Sequence, residues 1–121
     1  SSPTTTVELP TGYLYPSGLV YDGANVWITN YGSSSVSKMR ASDGAVLGTY
    51  PVGSSPRGLV FDGVNIWVGC DGSNEVYKLR AATGAQVGTS IPISWGVNKL
   101  GFDGASVWVG GGPQTGFLGK L

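Results

Sequence analysis

The sequence predicts an all-β fold, a β-propeller with about three four-stranded blades in one chain. One unit occurs almost three times, at Gly18–Gly23, Gly58–Gly63 and Leu100–Gly104, each time followed shortly by a Trp. The runs between turns are rich in Val, Ile, Tyr, Trp and Thr, and 21 glycines and seven prolines supply the turns.

The spacing of the unit identifies the kind of repeat. Asp22 and Asp62 lie 40 residues apart, and Asp62 and Asp103 lie 41 residues apart. A period near 40 residues with several strand-like runs per unit is typical of propeller blades rather than helical repeats.

Each unit is predicted to begin with a β-hairpin. In the second unit the apolar run Gly58–Asp62 meets the turn signal Asp62-Gly63 and returns as Asn65–Gly69. The segment Ile66–Val68 shows no polar alternation, so both faces of this second strand are expected to be covered by neighbouring blades.

The remaining two strands of a blade are expected farther from the axis. The third strand, as in Val76–Arg80, interleaves charges with apolar residues, which predicts a half-exposed strand with solvated Lys and Arg side chains. The fourth strand, Ala45–Val52 or Ala85–Pro92, contains a proline, which is tolerated at a sheet edge.

The two ends of the chain suggest how a ring could close. Residues 4–12 resemble an outermost strand, whereas residues 119–121 fall within a third strand. We therefore predict one partial propeller domain over residues 1–121, with blades at about 13–53, 54–93 and 94–121 and with residues 4–12 completing a blade of another copy. Propellers typically have four to eight blades, which favours a six-bladed homodimeric ring; a trimer or an open filament are the alternatives.

Apolar residues near the two ends are the predicted oligomer interface. They are Val7, Leu9, Phe117, Leu118 and Leu121.

Composition excludes several classes of partner. Only 12% of residues are charged and the formal net charge is zero, so nothing indicates nucleic acid or an anionic membrane as a partner. The sequence contains no run of 18 apolar residues, so no membrane span is predicted.

Cys70 is the single cysteine and is predicted to be a small buried residue rather than a reactive thiol. The low charge and the abundant Gly, Ser and Thr suggest a secreted protein, extracellular or periplasmic.

The repeated motif resembles that of a known group of proteins. Gly-Leu-Val-Tyr/Phe-Asp-Gly-x-Asn-Val/Ile-Trp-Ile/Val at 18–28 and 58–68 is similar to the repeats of bacterial YVTN-type β-propellers, which are related to virginiamycin B lyase and NHL-like propellers. The resemblance covers residues 4–121 and implies the fold. It implies little about function, because the matching residues are scaffold residues.

The chain departs from what the lyase resemblance implies. That enzyme class is expected to use a histidine base and a Mg²⁺ ion held by acidic groups, yet the chain has no His. Most of its acidic residues stand in repeated turns, leaving Glu8, Asp71 and Glu75. We predict no catalytic residue, no metal site and no cofactor.

Irregular residues at the predicted channel mouth are the candidate ligand site. They are Tyr13, Tyr31, Arg57, Asp71, Trp95 and Lys99. Aromatic rings beside polar groups suit a small polar ligand or a glycan, and the cations suit an anion or a carboxylate. The alternatives are that Arg57 and Lys99 point outward or pair with Asp71 or Glu75, and that Tyr13, Tyr15 and Trp95 pack between blades or at the subunit seam.

Three functions of different classes follow. The leading one is a non-catalytic binding or structural propeller that assembles from identical chains. The others are a filament or surface-array subunit and a lyase-like enzyme.

Overall fold

The computed structural model describes residues 16–112 and 116–121. The predicted trans strand 4–12, with Val7 and Leu9, and the predicted site residue Tyr13 lie outside these ranges. None of the described residues form a helix that is both long and apolar enough to cross a membrane.

The described residues form three antiparallel sheets that follow one another along the chain. The sheet of blade 1 contains β1 (Pro16–Tyr21), β2 (Asn25–Asn30), β3 (Ser35–Arg40) and β4 (Val46–Pro51), with a short 3₁₀ helix at Tyr31–Ser33. The sheet of blade 2 contains β5 (Pro56–Phe61), β6 (Asn65–Cys70), β7 (Glu75–Arg80) and β8 (Ile91–Pro92). The sheet of blade 3 contains β9 (Val97–Phe102), β10 (Val107–Gly111) and β11 (Phe117–Lys120).

The repeated Asp ties the first turn of each blade to the second strand. In blade 2, Asp62 Oδ1 accepts the backbone N–H groups of Val64 and Asn65, and Oδ2 accepts the Trp67 indole N–H at 2.8 Å. The other two blades repeat this arrangement with Asp22 and Trp27 and with Asp103 and Trp108. The turn and the Trp are therefore one structural unit, which explains why they recur together.

Two hydrophobic cores hold the blades together. The first lies between blades 1 and 2 and contains the fully buried Trp27 and Val36 with Ile66, Val68 and Leu79. The second lies between blades 2 and 3 and is built around Val76, Val97 and Val109. We call the face that a blade turns to the following blade its forward face, carrying Trp27 and Val36 in blade 1, and the opposite face its rear face.

The third strand of blade 1 is more buried than its alternating charges predicted. Ser35, Val36 and Ser37 are all buried. Lys38 is not simply solvated, because its Nζ donates to the Ala81 carbonyl at 2.9 Å and lies 5.5 Å from the Trp27 ring centroid. Val36 is buried by the next blade in the first core, whereas Ser35 and Ser37 are buried as acceptors of hydrogen bonds from the Asn30 side-chain amide at 3.0 Å.

The fourth strand of blade 2 was also predicted too long. Only Ile91–Pro92 forms a strand, and a single bridge joins Leu79 to Gln86. Gly88 between them has φ +69°, a left-handed conformation that interrupts the extended backbone. The outer edge of this blade is therefore broken.

The two end faces of the three-blade array expose residues that are covered between the blades. Leu19, on the rear face of blade 1, is 73% exposed, whereas its equivalents Leu59 and Leu100 pack into the two cores. Leu118, on the forward face of blade 3, is 72% exposed, whereas its equivalents Val36 and Val76 are fully buried. The rear face of blade 1 is exposed only in part, because Ile28, Ser37 and Met39 share that face with Leu19 and are buried.

Candidate functional site

A β-bulge begins the inner strand of each blade. The register shifts between Pro16 and Gly18, and again between Pro56 and Gly58, so Ser17 and Arg57 are the extra residues. Asn98 is the extra residue in blade 3. Because a bulge redirects the side chain of the inserted residue, these three positions differ in direction from the rest of the strand.

Arg57 lies between an aromatic ring and a carboxylate. Its guanidinium carbon is 4.6 Å from the centroid of the Tyr31 ring, and its Nε is 3.5 Å from Asp71 Oδ2. The side chains of Arg57 and Asp71 keep 45% and 34% of their surface exposed. The pair is therefore accessible, and at this exposure its contribution to stability is small.

The backbone around the cluster fixes these side chains in place. The Asp71 N–H donates to the Ser55 carbonyl at 3.0 Å, and Ser55 has a left-handed φ of +56°. On the other side, a Cβ added at Gly96 would overlap the Asp71 carboxylate, so the blade 3 loop lies directly against it. Tyr31 belongs to blade 1, Arg57 and Asp71 to blade 2 and Gly96 to blade 3, so the cluster spans three blades.

The charge of Arg57 affects the phenol beside it. Hydrogen bonds from Arg57 and Ser55 hold the pKa of Tyr31 below its ordinary value. The pKa of Arg57 lies above its ordinary value for the same reason, because the Tyr31 hydroxyl pairs with the charged guanidinium. The cluster therefore presents a cation, a carboxylate and a polarised phenol within one small area.

Trp95 and Lys99, also predicted for this site, have other surroundings. The Trp95 ring stacks on Phe117 with centroids 5.6 Å apart and packs against the second core, as the alternative interpretation expected. Lys99 lies exposed on β9, and within the described ranges no hydrogen bond or ion pair joins it to Arg57 or Asp71. The structure thus groups Tyr31 with Arg57 and Asp71.

Sequence reasoning missed two residues that shape the cluster. Ser55 was not singled out, although its place in Ser54-Ser55-Pro56 marks a turn. Gly96 carries no sequence signal for its contact with Asp71, because that contact depends on how blade 3 packs against blade 2.

A second groove lies between blades 1 and 2 at the opposite edge of the sheets. It is lined by Asp22, Lys38, Phe61, Val64 and Arg80, among others. Asp22 is engaged by Trp27 and Lys38 by Ala81, so these polar groups already serve the scaffold.

Among the described residues, Cys70 and the acidic side chains are the groups that metal or thiol chemistry would use. Within them, no three His, Cys, Asp or Glu side chains come together as a metal site. Cys70 is fully buried, as predicted, and burial raises the pKa of its thiol to about 12. It therefore stays protonated at neutral pH.

Comparisons with known proteins give the fold. No protein-family model matches the chain, and no curated protein matches its sequence. Among solved structures, Kuenenia stuttgartiensis hydrazine synthase aligns with a TM-score of 0.73 at 19% identity, over 89% of this chain and 32% of that chain. The computationally designed Ika4 protein aligns with a TM-score of 0.71 at 16% identity, over 85% of this chain and 62% of that chain.

A lyase is also among the similar structures. The catalytically inactive histidine-to-alanine variant of virginiamycin B lyase from Staphylococcus aureus with quinupristin aligns with a TM-score of 0.69 at 17% identity. The alignment covers 94% of this chain and 43% of that one, so the chain spans less than half of the lyase. At these identities the likeness concerns architecture, and membership of the YVTN-type repeat family stays a prediction. The chain has a β-propeller-like fold, with three sheets in the place of blades.

Proposed function

We propose that this chain is a non-catalytic binding module whose propeller ring is completed by a second copy. The observation that supports the proposal most is the exposure of one leucine on each outer face of the array. Leu19 and Leu118 are each more than 70% exposed at positions that the other blades cover. Because exposed apolar side chains favour association, contact between these two faces in different chains would bury both leucines.

The ligand is proposed to be a small polar molecule or glycan that bears an anionic group. Arg57 would donate to a carboxylate, Asp71 would accept from hydroxyl groups, and the Tyr31 ring would cover an apolar face. Their grouping at one accessible position, with Arg57 45% exposed, supports this assignment.

A catalytic role is not part of the proposal. The lyase structure described as catalytically inactive carries an alanine in place of a histidine, and the present chain has no histidine in any of its 121 residues. An open filament uses the same two end faces and is distinguished from a ring by assembly size.

Ligand binding can be tested by calorimetric titration with glucuronate and glucose, sugars with and without a carboxylate. We expect saturable binding of glucuronate and weaker binding of glucose. Arg57→Gln should weaken glucuronate binding about tenfold, since it removes a charge-assisted hydrogen bond. Arg80→Gln is the matched control, because Arg80 is an exposed arginine on β7 and away from the cluster.

Two results would contradict the ligand assignment. One is the absence of saturable binding by either sugar. The other is an equal loss of affinity in Arg57→Gln and Arg80→Gln.

A further inference from the structure

The inserted residue of each β-bulge, here called the bulge residue, has different partners in the three blades. The Ser17 hydroxyl donates to the Pro56 carbonyl at 2.9 Å, and Arg57 pairs with Asp71. Asn98 is half-buried, and across the described ranges its side-chain amide forms no hydrogen bond. A side-chain amide has two donors and an acceptor, so its burial is unfavourable unless solvent or a ligand pairs with it. Asn98 is therefore the bulge residue whose polar groups are available for binding.

A second set of equivalent residues follows the second strand of each blade. Tyr31 follows β2, Asp71 follows β6 and Gly112 follows β10. The N–H of Asp71 donates to the Ser55 carbonyl at 3.0 Å. The N–H of Gly112 makes the same bond in blade 3, to the Gly96 carbonyl at 2.8 Å. At this position blade 1 therefore has a phenol ring, blade 2 has a carboxylate and blade 3 has no side chain.

The bulge residue of blade 2 lies between two members of this second set. Arg57 lies over the Tyr31 ring of the preceding blade and pairs with Asp71 of its own blade. The same relation one blade later places Asn98 beside Asp71. The contacts of Asp71 support this placement, because its Oδ2 lies 3.5 Å from Arg57 Nε and its Oδ1 lies against Gly96, two residues before Asn98. Asp71 is thus shared between the bulge residues of blades 2 and 3.

We propose that Asn98 is a further binding residue of this site, and that the ligand is a carboxylate with a hydroxyl group on a neighbouring carbon atom, as in a uronic acid. The ligand carboxylate accepts hydrogen bonds from the Arg57 guanidinium. The ligand hydroxyl donates to Asp71 and accepts from the Asn98 Nδ2–H group. Since Arg57 Nε and Asp71 Oδ2 are 3.5 Å apart, the two ligand groups must also be close together. This inference rests on the proposed function, because it names the class of ligand for the same site.

A hydroxyl group suits Asp71 and Asn98 better than the other polar groups of small ligands. It can donate to a carboxylate and accept from an amide N–H at the same time. A second carboxylate on the ligand would be repelled by the Asp71 carboxylate. An ammonium group would leave the Asn98 N–H groups without an acceptor. The hydroxyl group nearest the carboxylate of a uronic acid therefore satisfies both residues.

The test is calorimetric titration of the natural chain and three variants with glucuronate and with 4-deoxyglucuronate, which lacks the hydroxyl group nearest the carboxylate. Asn98→Ala should weaken glucuronate binding about fivefold, because it removes one hydrogen bond, and should leave 4-deoxyglucuronate binding unchanged. Asn98→Asp keeps nearly the same shape and should weaken glucuronate binding about tenfold, because it replaces a donor by a second negative charge. Gln86→Ala is the matched control, since it removes an exposed side-chain amide at the outer edge of blade 2.

The ratio of the two sugar affinities separates a binding role of Asn98 from a structural one, and circular dichroism verifies that each variant keeps the fold. This inference is overturned if Asn98→Ala binds glucuronate as tightly as the natural chain does, or if it loses affinity for both sugars equally. The proposed function would then still stand, provided that Arg57→Gln weakens glucuronate binding. A natural chain that binds neither sugar would overturn both the inference and the proposed ligand.

Discussion

At the scale of single residues, the Asp and Trp of each blade form the most repeated interaction. In blade 3 the indole of Trp108 and the backbone N–H groups of Ser106 and Ala105 lower the pKa of Asp103 to about 2. In blades 1 and 2, burial acts to raise the pKa of the equivalent carboxyl groups. The same kinds of hydrogen bond outweigh that effect, so both pKa values lie below the ordinary range.

The lowered pKa of Asp103 predicts how stability depends on acid. Because the folded-state pKa is depressed, its contribution is fully present above the unfolded value, about 3.9, and is lost as the pH falls toward about 2. Asp103→Asn should therefore flatten the dependence of the unfolding free energy on pH in this window. Urea denaturation followed by fluorescence at several pH values measures it.

Trp108→Phe is the companion variant for this prediction. It removes the indole donor, so it should raise the pKa of Asp103 and flatten the same acid limb. If the unfolding free energy of both variants falls with decreasing pH as steeply as that of the natural chain, the hydrogen bond does not set this pKa.

At the scale of the strands, the inner strands show how closely the blades pack. The Gly18 backbone faces the Arg57 carbonyl, and the bulge residue Ser17 donates its hydroxyl to the Pro56 carbonyl at 2.9 Å. Backbone therefore approaches backbone across the interface between blades 1 and 2.

Replacement of Gly18 by alanine should therefore be destabilising. Gly18→Ala places a Cβ 2.5 Å from a backbone oxygen, so the sheets must separate, at a cost of about 1–3 kcal/mol. Gly101→Ala is the matched control, since its Cβ meets nothing within 4 Å, and it should change the unfolding free energy by less than about 0.5 kcal/mol. Urea denaturation, at a protein concentration too low for the chains to associate, compares the unfolding free energies of the two variants. An equal loss of unfolding free energy in both would contradict this explanation of blade packing.

The sequence predicted the strands better than the site. The turn at Asp62-Gly63 and its return through Trp67 could be read from local residues, because hairpin signals are local. The burial of β3 could not, since it depends on contacts outside the segment. The left-handed φ of Gly88, which breaks the outer strand of blade 2, is not visible in the pattern of residues.

The same reason limits prediction of the candidate site. Arg57 was found because it breaks the repeat, and its neighbour Asp71 was named as one of its partners. The parts played by Ser55 and Gly96 arise only when three blades are packed together. Residues that follow the repeat therefore form the scaffold, and the candidate site lies where Arg57 departs from the repeat.

At the scale of the whole molecule, the apolar residues exposed on the two outer faces carry the proposed assembly. The described blades bury their shared faces in two cores and leave Leu19, Tyr21 and Leu118 exposed. Leu118→Asp should abolish any association through this face, because a charge would have to be buried there. Val64→Asp is the control, since Val64 is 60% exposed in the turn of the middle blade.

The most direct test is the native mass of the 121-residue chain, measured by light scattering on a sizing column over a range of concentrations. The account predicts a folded species that approaches twice the 12.4 kDa chain mass as concentration rises. A folded species that stays at 12.4 kDa throughout would contradict assembly between copies, and a large polydisperse species would contradict a closed ring.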